Sequence, residues 1–186
     1  MLKQTIILLL FLGLGACTKK SPMNSIRQTV DSLIIDTPQV RVTVPGVWLS
    51  EEKRPAENVV YRGHSDEGEI HKRFIVAGHL LTPGQTEVGR KEAFQDLLRM
   101  RRETEDEITA GKAKIIEEPL RESGELLGGG YIAIHLTAGR IVFSRAMCDH
   151  EKAFNFYYEL WGFSAKPDVK KLMEDFETIM ETAGLK

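Results

Sequence analysis

The sequence predicts an α+β fold, a mostly antiparallel sheet with helices packed on its faces. Runs rich in β-branched and aromatic residues occupy 131–137, 140–148 and 151–163, and pairs of turn residues separate them. That pattern is typical of antiparallel hairpins. Residues 90–107 carry apolar side chains at three- and four-residue spacing among many charges, as an amphipathic helix does. The chain closes with a second amphipathic helix that begins near Val169.

The N-terminus has the three zones of an export signal. Lys3 supplies a positive charge, residues 5–14 form an almost unbroken apolar run, and small residues follow. The run is shorter than the roughly 20 apolar residues that cross a bilayer. We therefore expect this segment to direct export and not to remain as an anchor.

The end of this segment, Leu14-Gly15-Ala16-Cys17, resembles the bacterial lipobox. In a lipobox the cysteine thiol is acylated, and a dedicated peptidase recognises the preceding residues and cuts before the cysteine. The resemblance implies that Cys17 carries a diacylglyceryl group and a further acyl chain, which together hold a protein durably at a membrane. The alternative is an ordinary export signal with a cysteine at the cut by chance.

Lipidation places the protein in the cell envelope. Thr18 follows the cysteine where an aspartate would favour the inner membrane, so we expect an anchor in the outer membrane facing the periplasm. Residues 1–16 are then the signal peptide, 17–25 the lipidated cysteine and tether, and 26–186 a single domain. Because the chain has two cysteines, acylation of Cys17 excludes the disulfide that an exported protein would otherwise suggest.

The first half of the domain reads mainly as strands. Residues 26–35 fit either a helix or the start of a strand, since their apolar spacing suits both. Residues 40–44 alternate as a half-buried strand does, and Pro45-Gly46 ends it. Further strands are expected at 59–63 and 69–81.

In the second half, a short strand is expected at 115–116. The glycine-rich stretch 124–130 is expected to be a mobile turn. Two-residue turns at 138–139 and 149–150 would set Leu136 opposite Ile141. The same turns would set Phe143 opposite both Ile134 and Phe156, on a face that belongs to the core.

The other face of the same strands is the candidate binding face. It carries small, polar and aromatic side chains: His135, Ser144, Asn155, Tyr157 and Trp161. Tyrosine and tryptophan are common anchors at protein interfaces. A second helix packed over this face would bury the same residues, and the pattern leaves both arrangements open.

The order of elements resembles the PsbP/Mog1-like α/β/α sandwich, including the domains of the DUF1795 type found in bacterial lipoproteins. The similarity rests on Val42-Thr43-Val44-Pro45-Gly46 with Trp48, on the aromatic strand that ends in Trp161, and on the helix with Leu172, Phe176 and Ile179. The resemblance implies binding of a protein partner, in envelope maintenance or in immunity to type VI secretion effectors. The family has no shared catalytic motif.

Motifs for catalysis, metals or cofactors are weak, so none of these is expected. Residues 84–91 miss the phosphate-binding loop pattern because Arg90 stands where its lysine belongs. His71 and His79 are about 26 Å apart along a regular strand, too far to share a metal ion. The net charge of −2 is unlike the basic balance of most nucleic-acid binders. A small envelope enzyme that uses His135, Ser144 and Tyr157 is the alternative to a binding module.

Replacement of the lipobox cysteine tests the anchor. In the Cys17→Ala variant we expect a product that is soluble or uncleaved and that incorporates no labelled palmitate, because the acyl acceptor is gone. Metabolic labelling followed by membrane fractionation measures this, with Cys148→Ala as the matched control that should still be labelled. Label that persists in Cys17→Ala would show that another residue is acylated.

Overall fold

The computed structural model describes residues 25–51, 58–67, 69–81, 87–150, 152–163 and 167–186. The lipobox residues Leu14 to Cys17 lie outside the described residues. Within those ranges the chain forms two antiparallel sheets, two α-helices and one 3-10 turn.

The smaller sheet has the strand order β1-β2-β3-β11. Its strands are β1 (Ser25–Gln28), β2 (Ser32–Asp36), β3 (Val40–Pro45) and β11 (Gly184–Leu185). The alternatives for residues 26–35 are thereby resolved in favour of strands. Leu33 and Ile35 are buried in alternation, whereas Val30, which a helix would place on the apolar side, is 94% exposed.

The larger sheet has the order β4-β5-β6-β10-β9-β8-β7. Its strands are β4 (Leu49–Ser50), β5 (Val59–Glu67), β6 (Ile70–Leu80), β7 (Lys114–Ser123), β8 (Leu126–His135), β9 (Arg140–Cys148) and β10 (Lys152–Trp161). The helices are α1 (Glu87–Thr109) and α2 (Val169–Glu181), and a 3-10 turn spans Leu136–Ala138. The predicted α+β class with a mostly antiparallel sheet is confirmed.

The main core lies between the two sheets and α2. Trp48 is buried there, with its ring 6.1 Å from Phe74 and 6.3 Å from Tyr158. Phe176 of α2 stacks on Tyr158 at 6.2 Å and lies 5.4 Å from Phe143. Each of these buried aromatic side chains contributes about 2–3 kcal/mol by removal from water.

Helix α1 packs on the opposite face of the larger sheet and forms a second core. Phe94 and Leu97 are its buried anchors. They meet small side chains of the central strands, including Ala146, Cys148 and Ala153. The two helices therefore cover opposite faces of one sheet.

The predicted two-residue turns are wrong, and the register differs accordingly. The 3-10 turn lengthens the first connection, so that Ile134 pairs with Ile141 and Ile132 with Phe143. Phe143 likewise pairs with Tyr158, not with Phe156. Each observed pairing differs from the predicted one by two residues. Because side chains alternate with period two, every side chain stays on its predicted face of the sheet.

The predicted mobile turn at 124–130 is also wrong for most of its length, since Gly128, Gly129 and Gly130 lie inside β8. Other atoms approach Gly129 and Gly130 closely, and only at Gly130 are those atoms backbone. A Cβ added at Gly129 would lie 2.8 Å from the Leu98 side chain of α1. One added at Gly130 would lie 2.1 Å from the Ser144 carbonyl oxygen.

Alanine substitution in this strand tests the close approach. Gly130→Ala should lower the free energy of unfolding by about 2–3 kcal/mol, because the clash is with backbone that cannot move aside. Gly128→Ala is the matched control in the same strand; its Cβ would meet the Ala146 carbonyl oxygen at an ordinary 3.9 Å. Urea denaturation of both variants measures the difference, and equal losses would contradict the packing described here.

Candidate functional site

Helix α1 covers only part of its face of the larger sheet, because it packs mainly against β8 and β7. Several side chains that share this face on the neighbouring strands are exposed or partly exposed; Leu49, for example, is 60% exposed. We call this surface the open face. It consists of Leu49, Arg62, His64, His71, Arg73, His135, Arg140, Glu159 and Trp161.

Trp161, the last residue of β10, is the aromatic centre of the open face. Its ring stacks against His71 of β6, with centroids 5.7 Å apart and an interplanar angle of 29°. The Arg73 guanidinium lies 5.0 Å from the same ring, within the range of a cation–π interaction. Asp66 in turn lies 2.7 Å from Nδ1 of His71. The indole is thus held in place although it is partly exposed.

Ion pairs connect the strands across this face. Glu51 lies 2.6 Å from Nε of Arg62 and 3.6 Å from Nε of Arg73. Arg73 then donates to Glu159 at 3.1 Å. A single exposed pair of this kind contributes about 0–1 kcal/mol. Shared partners, however, restrict each long side chain to one geometry, so the face presents a defined pattern of charge.

Arg140 ends this series and joins the open face to α1. Its Nε donates to Glu159 at 2.6 Å, and its terminal nitrogens donate to Glu105 of α1. Burial would lower the pKa of Arg140, but hydrogen bonds to Glu105 and Glu159 outweigh it and raise the pKa above the usual value. Arg140 therefore stays charged and neutralises the buried Glu105.

The residues of the predicted binding face are divided between two environments. His135 and Trp161 lie on the open face and are partly exposed. Ser144 and Asn155 are buried beneath α1, where the Ser144 hydroxyl donates to the Asn155 amide oxygen at 3.2 Å. Tyr157 is largely covered by α1, and the Arg101 guanidinium lies 6.0 Å from its ring. Burial by α1 therefore removes Ser144 and Asn155 from any contact surface.

The strand register also separates His135 from Ser144. Ser144 pairs with Tyr131, four residues before His135 in β8. At the rise of a strand these positions are about 13 Å apart. Tyr157 pairs directly with Ser144, and desolvation by burial raises the pKa of its phenol. The alternative hypothesis of an enzyme relied on His135, Ser144 and Tyr157. These three side chains do not lie around one common point.

The other candidate chemical groups have structural partners. His79 accepts a hydrogen bond from Arg101 at 2.7 Å, and His150 lies 2.9 Å from Glu125. The Cys148 thiol is buried and donates to the Asp149 carbonyl oxygen at 2.8 Å. Among the described residues, no group of three or more histidine, cysteine, aspartate or glutamate side chains could hold a metal ion. Residues 84–91, the partial match to a phosphate-binding loop, lie in part outside the described residues.

Sequence reasoning missed Arg73, Arg140 and Glu159. A signal was present, since His71 and Arg73 alternate with the buried Phe74 and Val76 and so occupy one polar side of β6. What the sequence lacks is the order of the strands. Only the pairing of β6 with β10 and of β10 with β9 brings these three charges together.

A comparison with protein-family models found no match, and a comparison with curated proteins found none either. In the part of the chain that the structure describes, no helix is long and apolar enough to cross a membrane.

The contact between α1 and the open face can be tested through Arg140. Arg140→Gln should lower the free energy of unfolding by about 3 kcal/mol, because it leaves the buried Glu105 carboxylate unpaired. Arg99→Gln is the matched control, as Arg99 pairs with Asp96 on the exposed side of α1, and it should cost less than about 0.5 kcal/mol. Urea denaturation at neutral pH measures both, and a loss for Arg140→Gln as small as the control's would contradict this role.

Proposed function

We propose that the protein is a lipoprotein of the bacterial envelope that binds a partner protein, without catalysis, through its open face. The anchor in this proposal is lipid on Cys17, in the outer membrane facing the periplasm. The domain is proposed to be a PsbP/Mog1-like sandwich, and the antiparallel sheet with a helix on each face supports this. No nucleic acid and no cofactor take part.

The observation that carries the binding proposal is Trp161, held by His71 and Arg73 on an accessible sheet face. Tryptophan and arginine are the side chains most enriched among those that dominate binding energy. A side chain already held in one position also loses less conformational entropy on binding. The neighbouring ion pairs add a charge pattern that can select a partner and orient it.

The alternative, a small envelope enzyme, would need His135 close to Ser144. The separation of about 13 Å along the strand, together with the burial of Ser144, favours the binding proposal instead. Within the binding class, envelope maintenance and type VI effector immunity are both consistent with the open face. A growth assay separates the two roles. It compares cells that express an exported toxin from a neighbouring gene in the presence and in the absence of this protein.

Photocrosslinking in living cells tests the open face. A photoreactive amino acid at Leu49 or His64 of the full-length protein should give a discrete adduct with one partner, because both positions lie on the open face. The same amino acid at Lys170, an exposed position on α2, is the control and should give none. Trp161→Ala should reduce the adduct about tenfold, as expected for loss of a dominant interface residue.

The control for folding is the thermal unfolding of Trp161→Ala, which should remain cooperative. A cooperative transition shows that the reduced adduct yield reflects weaker binding and not a loss of structure. Met173→Ala, which removes a partly exposed apolar side chain from α2, should leave the adduct unchanged. Adducts of equal yield from Lys170 and the open-face positions would contradict the proposal.

A further inference from the structure

A groove opens between the two sheets at the end of β10 opposite the open face. One wall is the turn between β2 and β3 with Ile26 of β1, and the other is the adjoining ends of β5, β6 and β10. The volume is about 710 Å³, within the range of roughly 300–1,000 Å³ that small-molecule sites occupy. The lining residues that matter here are Ile26, Pro38, Val60, Leu80, Lys152 and Phe154.

The groove is lined mostly by apolar groups. Leu80 stands at its rim and is 80% exposed, although it lies in the regular strand β6. Gly78 lets the Phe154 ring pack closely on the backbone of β6, since a Cβ there would lie 3.2 Å from that ring. These side chains can shield the methylene groups of an elongated apolar ligand from water.

The wall opposite Leu80 is stiff. The Thr37 amide donates to the Val40 carbonyl oxygen at 2.9 Å, and the Thr37 hydroxyl donates to the same oxygen at 3.1 Å. The Val40 amide returns a hydrogen bond to the Thr37 hydroxyl at 3.0 Å. These hydrogen bonds hold the turn beside Pro38, which forms this wall of the groove, in one conformation.

The charge in the groove is positive and localised. Lys152 is the only lysine or arginine among the described lining residues, and none of them is an aspartate or a glutamate. His79 also lines the groove, but burial and the nearby Arg101 lower its pKa to about 4, so it is neutral at neutral pH. A ligand with one anionic group and an apolar chain matches this arrangement.

The groove also lies close to the proposed anchor. Ile26, which lines the groove, is nine positions after Cys17, and an extended chain spans at most about 3.3–3.6 Å per residue. A lipid on Cys17 would thus hold the groove within roughly 30 Å of the bilayer surface. That distance is about equal to the thickness of the hydrocarbon layer of a bilayer. This step rests on the proposed lipidation of Cys17, whereas the shape and charge of the groove do not.

We infer that the groove binds one acyl chain of an anionic membrane phospholipid. The chain lies along Val60, Leu80 and Phe154, and the phosphate of the headgroup lies at the ammonium of Lys152. The protein would then contact the membrane at two points, its own anchor and one captured lipid.

Photoreactive lipid tests this assignment. The full-length lipidated protein is reconstituted in vesicles of phosphatidylcholine that contain a few per cent of phosphatidylglycerol with a diazirine on one acyl chain. Crosslinked peptides should map to the β5, β6 and β10 segments that line the groove. Leu80→Asp should reduce their yield about tenfold, because a carboxylate at the rim opposes both the apolar chain and the phosphate.

Leu136→Asp is the matched control, since Leu136 is also exposed but lies in the 3-10 turn at the opposite end of the sheet. It should leave the yield unchanged. Lys152→Glu should abolish the preference for photoreactive phosphatidylglycerol over photoreactive phosphatidylcholine while the fold, followed by thermal unfolding, is kept.

Flotation of the protein with the vesicles reports the anchor separately from the groove. Flotation without crosslinks at the groove would overturn the lipid site and leave the anchor intact. Groove crosslinks from protein that does not float would support the lipid site and contradict the anchor. Groove crosslinks that arise from a diazirine fatty acid carried on Cys17, and not from added lipid, would identify the wrong occupant and overturn the assignment.

Discussion

The rest of the structure depends on the packing of strand β10. It pairs over its length with β6 on one side and with β9 on the other. Its alternate side chains fill both cores: Phe154, Phe156 and Tyr158 lie toward the smaller sheet and α2, whereas Ala153 lies toward α1. Because side chains of a strand alternate strictly, a slip of one residue in β10 would exchange the two sets and place large aromatic side chains where the core beneath α1 has small ones.

Two arginines of the neighbouring strand β9 hold the helices on their opposite faces. Arg140 connects Glu105 of α1 to Glu159, and Arg145 connects Glu177 of α2 to Glu118 of β7. The hydrogen bond to Glu177, and then that to Glu118, raise the pKa of Arg145 despite its burial. Such bridges add little net stability compared with apolar packing, but each has one geometry and so orients its helix.

The two proposed sites lie at opposite ends of β10 and on opposite faces. Lys152 and Phe154 line the groove, and Glu159 and Trp161 belong to the open face. At the rise of a strand, the ten residues from Lys152 to Trp161 span about 30 Å. If the groove faces a bilayer, the open face is directed away from it, where a periplasmic partner can approach. The proposed anchor and the proposed partner then occupy separate ends of one rigid element.

By itself the sequence determined the class of the fold and the face on which each central side chain lies. Hydrophobic periodicity is a local property, so it identified both helices and sorted Phe143, Phe156 and Ser144 correctly even though the turn lengths were wrong. The lipobox at Cys17 is likewise a local motif and stays a prediction. Only the tertiary structure decided that α1 buries Ser144 and Asn155 while it leaves Trp161 accessible. It also decided that Gly128 to Gly130 belong to a strand, because the backbone atoms that exclude a side chain at Gly130 come from the neighbouring strand β9. Strand order and helix placement bring together residues that are far apart in the chain. A local sequence pattern does not specify such long-range contacts.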